Sequence, residues 1–511
     1  MSVKAAKLGR IERAILAIAP GWAESRARSR LRVAAYGNAY EAVNHSRLRK
    51  KQRDFGSGNT VAGLAHKQLR DLARNLDRNH DLSRGILNVL VRNVVGPNGI
   101  GVEPQPRDAD GNVLTDLAKQ LDELWQQWSR SPEVTGEFNR ARYEQLVARS
   151  WFRDGECFWQ YVEGSVPGLR HGTAAPFSLE LLEADLVPVD YNDPIKQVIQ
   201  GIEIDAWGRP RGYWMYKEHP GDPFVTLPVL KRLPTDAVGH IKLVDRLNTR
   251  RGVSMFASVL SRLDDLKDYE ESERIAARIA ASMAAFIKKG DAGSYDMDKP
   301  AGIRQMNFAP GMIFDDLLPG EEIGTIDSNR PNPNAVGWRD GQLRAVAGGT
   351  DVSYSSSSKN YGGTYSAQRQ ELVEQWTAYQ LLQQAFIDMC TGEVYPRFVA
   401  SCLAGGLIKP VKGVTFAQLS HAIYMPPVMP WIDPVKEVLG WQMQEDRCYI
   451  AGSEIVRRQG RNPADVIRAQ SKWQADLRTA DIRTQTAPNT QPGADPATAV
   501  DRSNNEATTD A

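Results

Sequence analysis

The 511-residue sequence lacks the short motifs that mark common nucleotide-dependent and hydrolytic enzymes. It has no GxxxxGKS/T phosphate-binding loop, no HExxH zinc motif and no GxSxG nucleophile motif. The nearest glycine pattern, GPNGIG at 96–101, has no lysine and precedes a predicted strand, which is typical of a turn. The seven histidines are too far apart for a linear metal motif. These absences argue against an enzyme, a resident metal and a cofactor.

Cysteine and long apolar runs are also scarce. The four cysteines (Cys157, Cys390, Cys402 and Cys448) form no CxxC pair, a pattern typical of reduced, buried thiols in a cytosolic protein. The longest N-terminal apolar run, ILAIAP, is too short for a secretory signal, and we expect no membrane span. With 63 basic and 62 acidic residues, the net charge gives no global argument for nucleic-acid binding.

The charge is nevertheless unevenly distributed. Residues 1–60 form a basic arm, with 13 Lys or Arg against three acids through residue 53. Such arms often contact nucleic acid or an acidic partner, although many are simply solvated. At the other end, the segment from residue 484 has no Leu, Ile, Phe, Trp or Tyr. Because such a segment cannot offset the entropy of ordering, we predict that a tail over 476–511 is disordered.

Residues 254–289 predict one long helix. The stretch has no Pro or Gly, its apolar residues recur every three or four positions, and its last third is rich in alanine. At about 1.5 Å per residue, it would extend about 54 Å. A turn-rich, strand-like tip over 290–330 and a shorter helix over 331–350 follow, so the chain goes out and returns. An ordinary helix across a large domain would show the same periodicity, but a rod with a tip suits an element that projects toward a partner.

The remaining segments predict an α+β fold. Residues 61–253 combine helical patterns, one of them over 65–95, with strand-like alternation such as Cys157, Trp159 and Tyr161. A Ser/Gly/Tyr-rich loop over 351–365 precedes a mainly helical region over 366–475. The small, polar composition of this loop predicts a surface segment that moves or is shaped by a neighbour.

Several segments, in order along the chain, resemble the lambda-like portal proteins of tailed bacteriophages. They are ARNLDRNHDLSRGILNVLVRNVVG (73–96), RDGECFWQYV (153–162), GIEIDAWGRPRGYWMYKEHPGD (201–222), RRGVSMFASVLSRLDDLKDYEESERIAARIAA (250–281), SYSSSSKNYGGTYSAQRQELVEQW (353–376) and WIDPVKEVLGWQ (431–442). The resemblance implies a non-enzymatic protein that forms a head-to-tail ring, typically twelvefold, at one capsid vertex. It also implies a channel for packaging and ejection of double-stranded DNA, assembly in the host cytoplasm, and docking of the large terminase subunit, capsid or scaffold proteins and head–tail joining proteins.

The resemblance assigns a role to each segment. Residues 61–253 become the wing, 254–289 the outgoing stem helix, 290–330 the clip, 331–350 the returning stem helix, 351–365 the channel loop, and 366–475 a helical wing and crown. The candidate DNA-channel residues are Lys359, Tyr354, Tyr361 and Ser357. The candidate ring-interface residues are Ala277, Ala281, Ala284 and Ala285. The candidate clip-docking residues are Phe308, Ile313, Phe314, Asp315, Asp316, Glu321 and Glu322.

Two other interpretations of the sequence remain. A nuclease or packaging ATPase of the same machine would need clustered carboxylates on a defined core or a phosphate-binding loop, and the sequence has neither signature. A large α+β scaffold protein is the other alternative, and measurement of the oligomeric state would separate it from a ring.

Overall fold

The computed structural model describes residues 56–224, 229–281, 285–289, 321–325, 334–429 and 434–480, without side chains for 279–281, 285–289, 321–325 and 434. The chain divides into two units, 1–61 and 62–511. Of the first unit, only residues 56–61 are described, so the predicted basic arm lies almost wholly outside the described residues. Most of the predicted clip and the tail from residue 481 also lie outside them.

Helices account for most of the described regular structure. They are α1 (Gly58–Asn79), α2 (Asp81–Val94), α3 (Thr115–Trp128), α4 (Arg140–Asp154), α5 (Leu260–Ala281), α6 (Ala335–Thr350), α7 (Tyr354–Ser358), α8 (Tyr365–Phe386), α9 (Gly392–Ala404), α10 (Phe416–Leu419), α11 (Pro434–Asp446), α12 (Gly452–Arg458) and α13 (Pro463–Thr479). The single helix predicted over 65–95 is divided at His80, whose Nδ1 accepts a hydrogen bond from the Leu82 N–H and caps α2. None of the described helices is long and apolar enough to cross a membrane.

Short antiparallel sheets complete the α+β fold. The strands are β1 (Gly101–Pro104), β2 (Glu156–Glu163), β3 (Phe177–Leu182), β4 (Val198–Ile199), β5 (Ile202–Ile204), β6 (Pro210–Tyr216), β7 (Leu230–Pro234), β8 (Val238–Lys242), β9 (Ala285–Lys289), β10 (Glu321–Thr325) and β11 (Ala422–Met425). The sheet orders are β3-β2-β8 and β4-β5-β6-β7, and β1 pairs with β11 and β9 with β10. The predicted mixture of helix and sheet is confirmed.

An aromatic cluster joins the two regions that the sequence separated. Trp125 stacks on Trp128 with 4.7 Å between ring centroids, and Trp128 stacks on Phe177 at 5.4 Å. From α9, Tyr395 and Phe398 meet Trp125 edge-on at 5.3 and 5.1 Å. Aromatic side chains bury large areas and favour such offset or edge-on contacts. Residues from 366–475 therefore share one hydrophobic core with residues from 61–253.

The predicted stem helix over 254–289 is wrong at both ends. A 3₁₀ turn (Met255–Ser258) precedes α5, which ends at Ala281, and residues 285–289 form strand β9. The register of β9 with β10 places Glu321 opposite Lys289 and Glu322 opposite Lys288. A short apolar run can adopt either conformation, and the partner strand decides it here.

Within the predicted returning segment over 331–350, the helical pattern starts near Ala335, and helix α6 begins at that residue. Two smaller predictions need correction. The tail predicted over 476–511 begins too early, because α13 continues to Thr479 and buries Leu477. Cys157, Cys390 and Cys402 are buried as expected, but Cys448 is exposed. It occupies a turn with φ 56°, a left-handed conformation that leaves its side chain outside the core.

A buried carboxylate ties strand β2 to the segment that leads into α5. The Glu156 side chain is fully buried, and Arg251 donates to it from Nε at 2.8 Å and from Nη2 at 2.5 Å. The Gly252 N–H donates to the same carboxylate at 3.0 Å. The Nε2 atoms of His66 and His240 each lie 3.2 Å from one of its oxygens. Burial opposes ionisation, but Arg251 and the histidines outweigh it and hold the pKa of Glu156 well below its ordinary value.

His240 makes the fold sensitive to acid. Burial, reinforced by the positive charges of Lys242 and Arg251, outweighs the attraction of Glu156 and lowers the pKa of His240 to about 4. In the unfolded chain, histidine titrates near pH 6.5, so the unfolded state binds more protons between these values. We therefore expect the folding stability to be intact above pH 6.5 and to fall as the pH drops toward 4, by up to about 3 kcal/mol.

The matched variant is His240→Gln, whose amide N–H can still donate to Glu156 but does not titrate. Melting temperatures of the full-length chain measured between pH 7 and 4 should decline less steeply for this variant. Parallel declines for the two proteins would show that His240 does not cause the acid sensitivity.

Candidate functional site

Helices α5 and α6 pack against each other as the predicted outgoing and returning pair. Leu263 and Leu266 of α5 and Leu343 and Val346 of α6 are buried. Arg339 donates from Nε to Glu270 Oε1 at 2.6 Å. The ring centroids of the neighbouring Tyr269 and Trp338 lie 4.3 Å apart. Nearer the start of α5, Arg262 donates from Nη1 to Gln342 Oε1 at 2.5 Å. Contacts thus run along much of the described length of α6.

Where the end of α6 meets the start of α5, the packing depends on a close backbone approach at Gly349. A Cβ built on Gly349 would lie 2.4 Å from Cγ1 of Val259, so α6 can approach the start of α5 only with glycine there. Ser258 also donates from Oγ to the Gly349 carbonyl at 3.4 Å. These contacts fix the end of the pair that joins the core.

The described part of the chain covers the other half of the pair poorly. Exposed fractions are 49% for Ile275, 67% for Val336 and 40% for Trp338. Burying such side chains against another surface is favourable by about 25 cal/mol per Å² of apolar area. The distal half of the pair therefore offers apolar surface to a second molecule.

A stripe of small residues runs along the exposed side of α6. Gly337, Gly341, Ala345 and Gly348 are exposed and recur every three or four residues, which places them on one face. Among the residues that the structure describes, a Cβ added at any of the three glycines would meet no atom within 4 Å. Because each exposed helical glycine costs about 1 kcal/mol relative to alanine, the stripe weakens the isolated helix. The sequence analysis missed this stripe, although its spacing is visible in AVGWRDGQLRAVAGGT.

The four alanines predicted for the ring interface do not lie on one helix face. Ala277 is half-buried in α5, and Ala281 is the last residue of that helix. Ala284 lies outside the described residues, and Ala285 begins strand β9. The predicted continuation of the alanine face beyond residue 281 is therefore wrong, because the chain changes from helix to strand before residue 285.

The predicted channel loop contains an ordered helical turn, α7. Ser353 caps it by accepting a hydrogen bond from the Ser356 N–H at 3.2 Å, and it ends at Lys359 in the left-handed conformation, φ 58°. Lys359 and Tyr361 are exposed, the latter by 58%. Ser357 is buried and donates to the Tyr354 carbonyl at 3.0 Å. Lys359 and Tyr361 thus lie at the exposed apex.

Tyr354 and Ser357, by contrast, face their own chain. The half-buried Tyr354 ring lies under the guanidinium of Arg344, 5.2 Å from the ring centroid. The Tyr354 hydroxyl is buried. The structure therefore divides the four predicted channel residues into two at the exposed apex and two that support it.

Helix α8 holds this segment through polar side chains. Glu371 accepts hydrogen bonds from the Ser353 hydroxyl at 2.7 Å, the Ser355 N–H at 2.9 Å and the Ser355 hydroxyl at 2.6 Å. Burial opposes ionisation of this carboxyl, but the bonds from Ser355 and Ser353 outweigh it and lower its pKa. The sequence analysis assigned no role to Glu371. The available signal was the run of serines in 353–358 together with a carboxylate in the second turn of α8.

The predicted clip-docking residues are described only in part. Phe308, Ile313, Phe314, Asp315 and Asp316 lie outside the described residues. Glu321 and Glu322 belong to β10, where each occupies a register position opposite a lysine of β9.

A cluster of possible metal ligands forms where the sequence indicated none. Glu183, Asp185 and His219 come close enough to share a cation. However, Arg70 and Arg74 already lie 2.9 and 2.7 Å from the Asp185 carboxylate. A cation would have to compete with two arginines, so the donor set does not fit a metal site, and we assign none.

Comparison with known proteins gives two matches at the level of sequence. A family model described as "Phage portal protein, lambda family" matches residues 44–383. The "Probable portal protein" of Halomonas phage phiHAP-1 is 26% identical over 431 residues, which cover 80% of this chain and 80% of that protein.

Solved structures of gene transfer agent particles give weaker matches. A chain in the neck of an empty particle computed with C6 symmetry is 14% identical, with TM-score 0.42, covering 81% of this chain and 96% of that chain. A chain in the virion of the native particle is 13% identical, with TM-score 0.40, covering 81% and 97%.

Proposed function

Because the chain belongs to the lambda family of phage portal proteins, we propose that its copies form a closed ring, typically twelvefold, around a channel for double-stranded DNA. The observation that carries this proposal is the α5–α6 pair. It projects partly uncovered apolar and small-residue surface and leads into a segment with an exposed lysine and tyrosine. Ring closure would cover the apolar and small-residue surface, and the channel would contain the exposed lysine and tyrosine. In the family's terms, α5 and α6 are the stem.

The ring contact that we propose uses the small-residue stripe of α6. In a head-to-tail ring, the same two surfaces meet at every interface, so one close helix approach is repeated around the ring. Gly337, Gly341 and Gly348 let a neighbouring helix approach closely, since helix axes come nearest where small residues meet. Ile275 and Val336 would be covered in the same contact. Ala277 and Ala281 remain candidates at the edge of this surface.

DNA contact is proposed for the apex of the channel segment. Lys359 is the only cation in residues 351–365, and its exposed amine suits a phosphate contact that does not depend on sequence. Tyr361, two residues later in the chain, is also exposed. Tyr354 and Ser357 would support the apex and not contact DNA. A channel wall of this kind lets DNA slide, because it has no pattern of base-reading groups.

Lys359→Glu should leave rings and proheads intact and reduce the length or retention of packaged DNA. The change reverses the charge of the apex in every copy and replaces attraction to phosphate by repulsion. The measurement is the length of DNA recovered from nuclease-treated particles, compared at low and high salt. The loss should be larger at low salt, where charges are screened less.

Lys412→Glu is the control, because Lys412 is also exposed but lies outside the proposed channel segment. It should package full-length DNA. Full-length DNA stably held by Lys359→Glu particles would exclude Lys359 from the mechanism.

The family assignment also suggests the remaining parts and partners. The family is one of structural proteins of the virion, and we propose that this chain acts without catalysis. Residues 61–253 and 366–475 would form the wing and crown, and residues 290–330 the clip that docks the large terminase subunit and head–tail joining proteins. The wing would meet capsid or scaffold proteins, and assembly would take place in the host cytoplasm.

A further inference from the structure

Three side chains on one face of α8 hold the preceding segment at three points. Gln368, Glu371 and Gln375 are three and four residues apart, which places them on one side of the helix. Gln368 donates to the Tyr361 carbonyl. Glu371 accepts from Ser353 and Ser355. Gln375 donates from Nε2 to the Asp351 carbonyl at 2.6 Å.

The order of these contacts shows how the segment runs. Moving forward along α8, the helix contacts residue 361, then 353 and 355, and then 351, so the segment runs antiparallel to α8. The exposed apex from Lys359 to Thr364 lies at the end held by Gln368. Beyond the buried Val352, the side chains from 353 to 361 are polar except for two tyrosines. Polar bonds from α8 therefore hold this segment at three points, in addition to the contact between Tyr354 and Arg344 of α6.

We propose that Gln368, Glu371 and Gln375 form a releasable polar clamp that positions the Lys359–Tyr361 apex relative to DNA in the channel. Glu371 is the central positioning residue, because it alone bonds both a backbone N–H and two hydroxyls of the segment. Water can replace each of these bonds when the segment moves, whereas a buried apolar anchor would resist displacement. The proposal rests on the proposed channel function only for its DNA readout.

Release of the clamp can be measured on assembled rings without DNA. Cys448 is first replaced by serine, because it is the exposed one of the four cysteines, and Ser357→Cys then places a thiol at a buried position beside the clamp. Maleimide labelling of this thiol reports how often the segment opens. Glu371→Gln is expected to increase the labelling rate about ten- to hundredfold, since bonds to a charged group are lost. Glu374→Gln, exposed on the same helix, should leave the rate unchanged.

A second comparison tests the link to DNA. Particles with Glu371→Gln should retain packaged DNA differently from the wild type, and Glu374→Gln particles should behave as wild type. Gln375→Ala provides an independent loss of the clamp and should shift labelling and retention in the same direction as Glu371→Gln.

The possible outcomes test the clamp and the proposed channel function separately. An unchanged labelling rate in both clamp variants would overturn the clamp. Faster labelling with wild-type DNA retention would overturn its role in positioning the apex. Full-length, stably held DNA in Lys359→Glu particles would instead contradict the proposed channel function. It would leave the conclusion from the labelling rates unchanged.

Discussion

Rings are expected to be lost when Gly341 is replaced by leucine, while the fold of each chain is retained. Gly341 lies in the middle of the exposed stripe of α6, and a Cβ there meets no atom of the described part of its own chain within 4 Å. Leucine also favours a helix by roughly 0.8 kcal/mol over glycine, so the isolated chain gains helix stability. A leucine would hold the neighbouring helix away, and the same defect would recur at every interface of the ring.

Light scattering coupled to size exclusion measures this outcome directly, because the chain mass is 56.7 kDa and a ring is many times heavier. Circular dichroism should show unchanged or slightly higher helix content. Gly341→Ala should give an intermediate result, with a more stable helix and weaker rings. Gly85→Leu in α2 is the matched control, since Gly85 also has open space for a Cβ. Rings of wild-type size with Gly341→Leu would show that the stripe faces away from the neighbour.

Replacing Glu156 with alanine should destabilise the folded chain by about 3–5 kcal/mol, because it leaves a buried guanidinium without its counter-charge. Arg251 is fully buried and would keep only its bonds to the carbonyls of Val187 and Gln200, both 2.9 Å, and of Ala184. The Gly252 N–H would also lose its acceptor. The damage should reach the entry to α5, so ring formation should fall together with stability.

The control is the double variant Glu156→Leu with Arg251→Met. An apolar pair of similar volume removes both charges, and such replacements are often close to neutral. In a double-mutant cycle, the free energy of unfolding lost by the double variant should therefore be clearly smaller than the sum of the losses in Glu156→Leu and Arg251→Met. The measurement is urea unfolding of the full-length chain under conditions in which it is monomeric. A loss below about 1 kcal/mol for Glu156→Ala would contradict the importance of this cluster.

Local pattern predicted several elements closely. Within the region predicted to be mainly helical, 366–475, α13 starts with the expected local signals: Asn462 caps the first turn and Pro463 occupies it. The helical pattern predicted over 65–95 is also helical in the structure, as α1 and α2, apart from the break at His80. Such elements are predictable because periodicity and capping act between residues close in sequence.

The candidate site was predictable only in outline. The composition of residues 351–365 pointed to a shaped surface loop, and Lys359 was recognisable as its single cation. That Ser357 faces inward and that Glu371 holds Ser355 could not be read from the sequence. These facts depend on how α8 folds back along the segment, and many arrangements would satisfy the same polar composition.

The sequence by itself determined the family resemblance, the mixed fold class and the out-and-back course of the α5–α6 pair, because these depend on local pattern and segment order. The tertiary structure alone decided that residues 285–289 form a strand, since their partner strand comes much later in the chain. It also decided that Glu156 of β2 would meet Arg251 and His66, which long stretches of chain separate from it. Long-range pairing and burial of charge are properties of the packed chain, because each group's free energy depends on neighbours that only folding brings near.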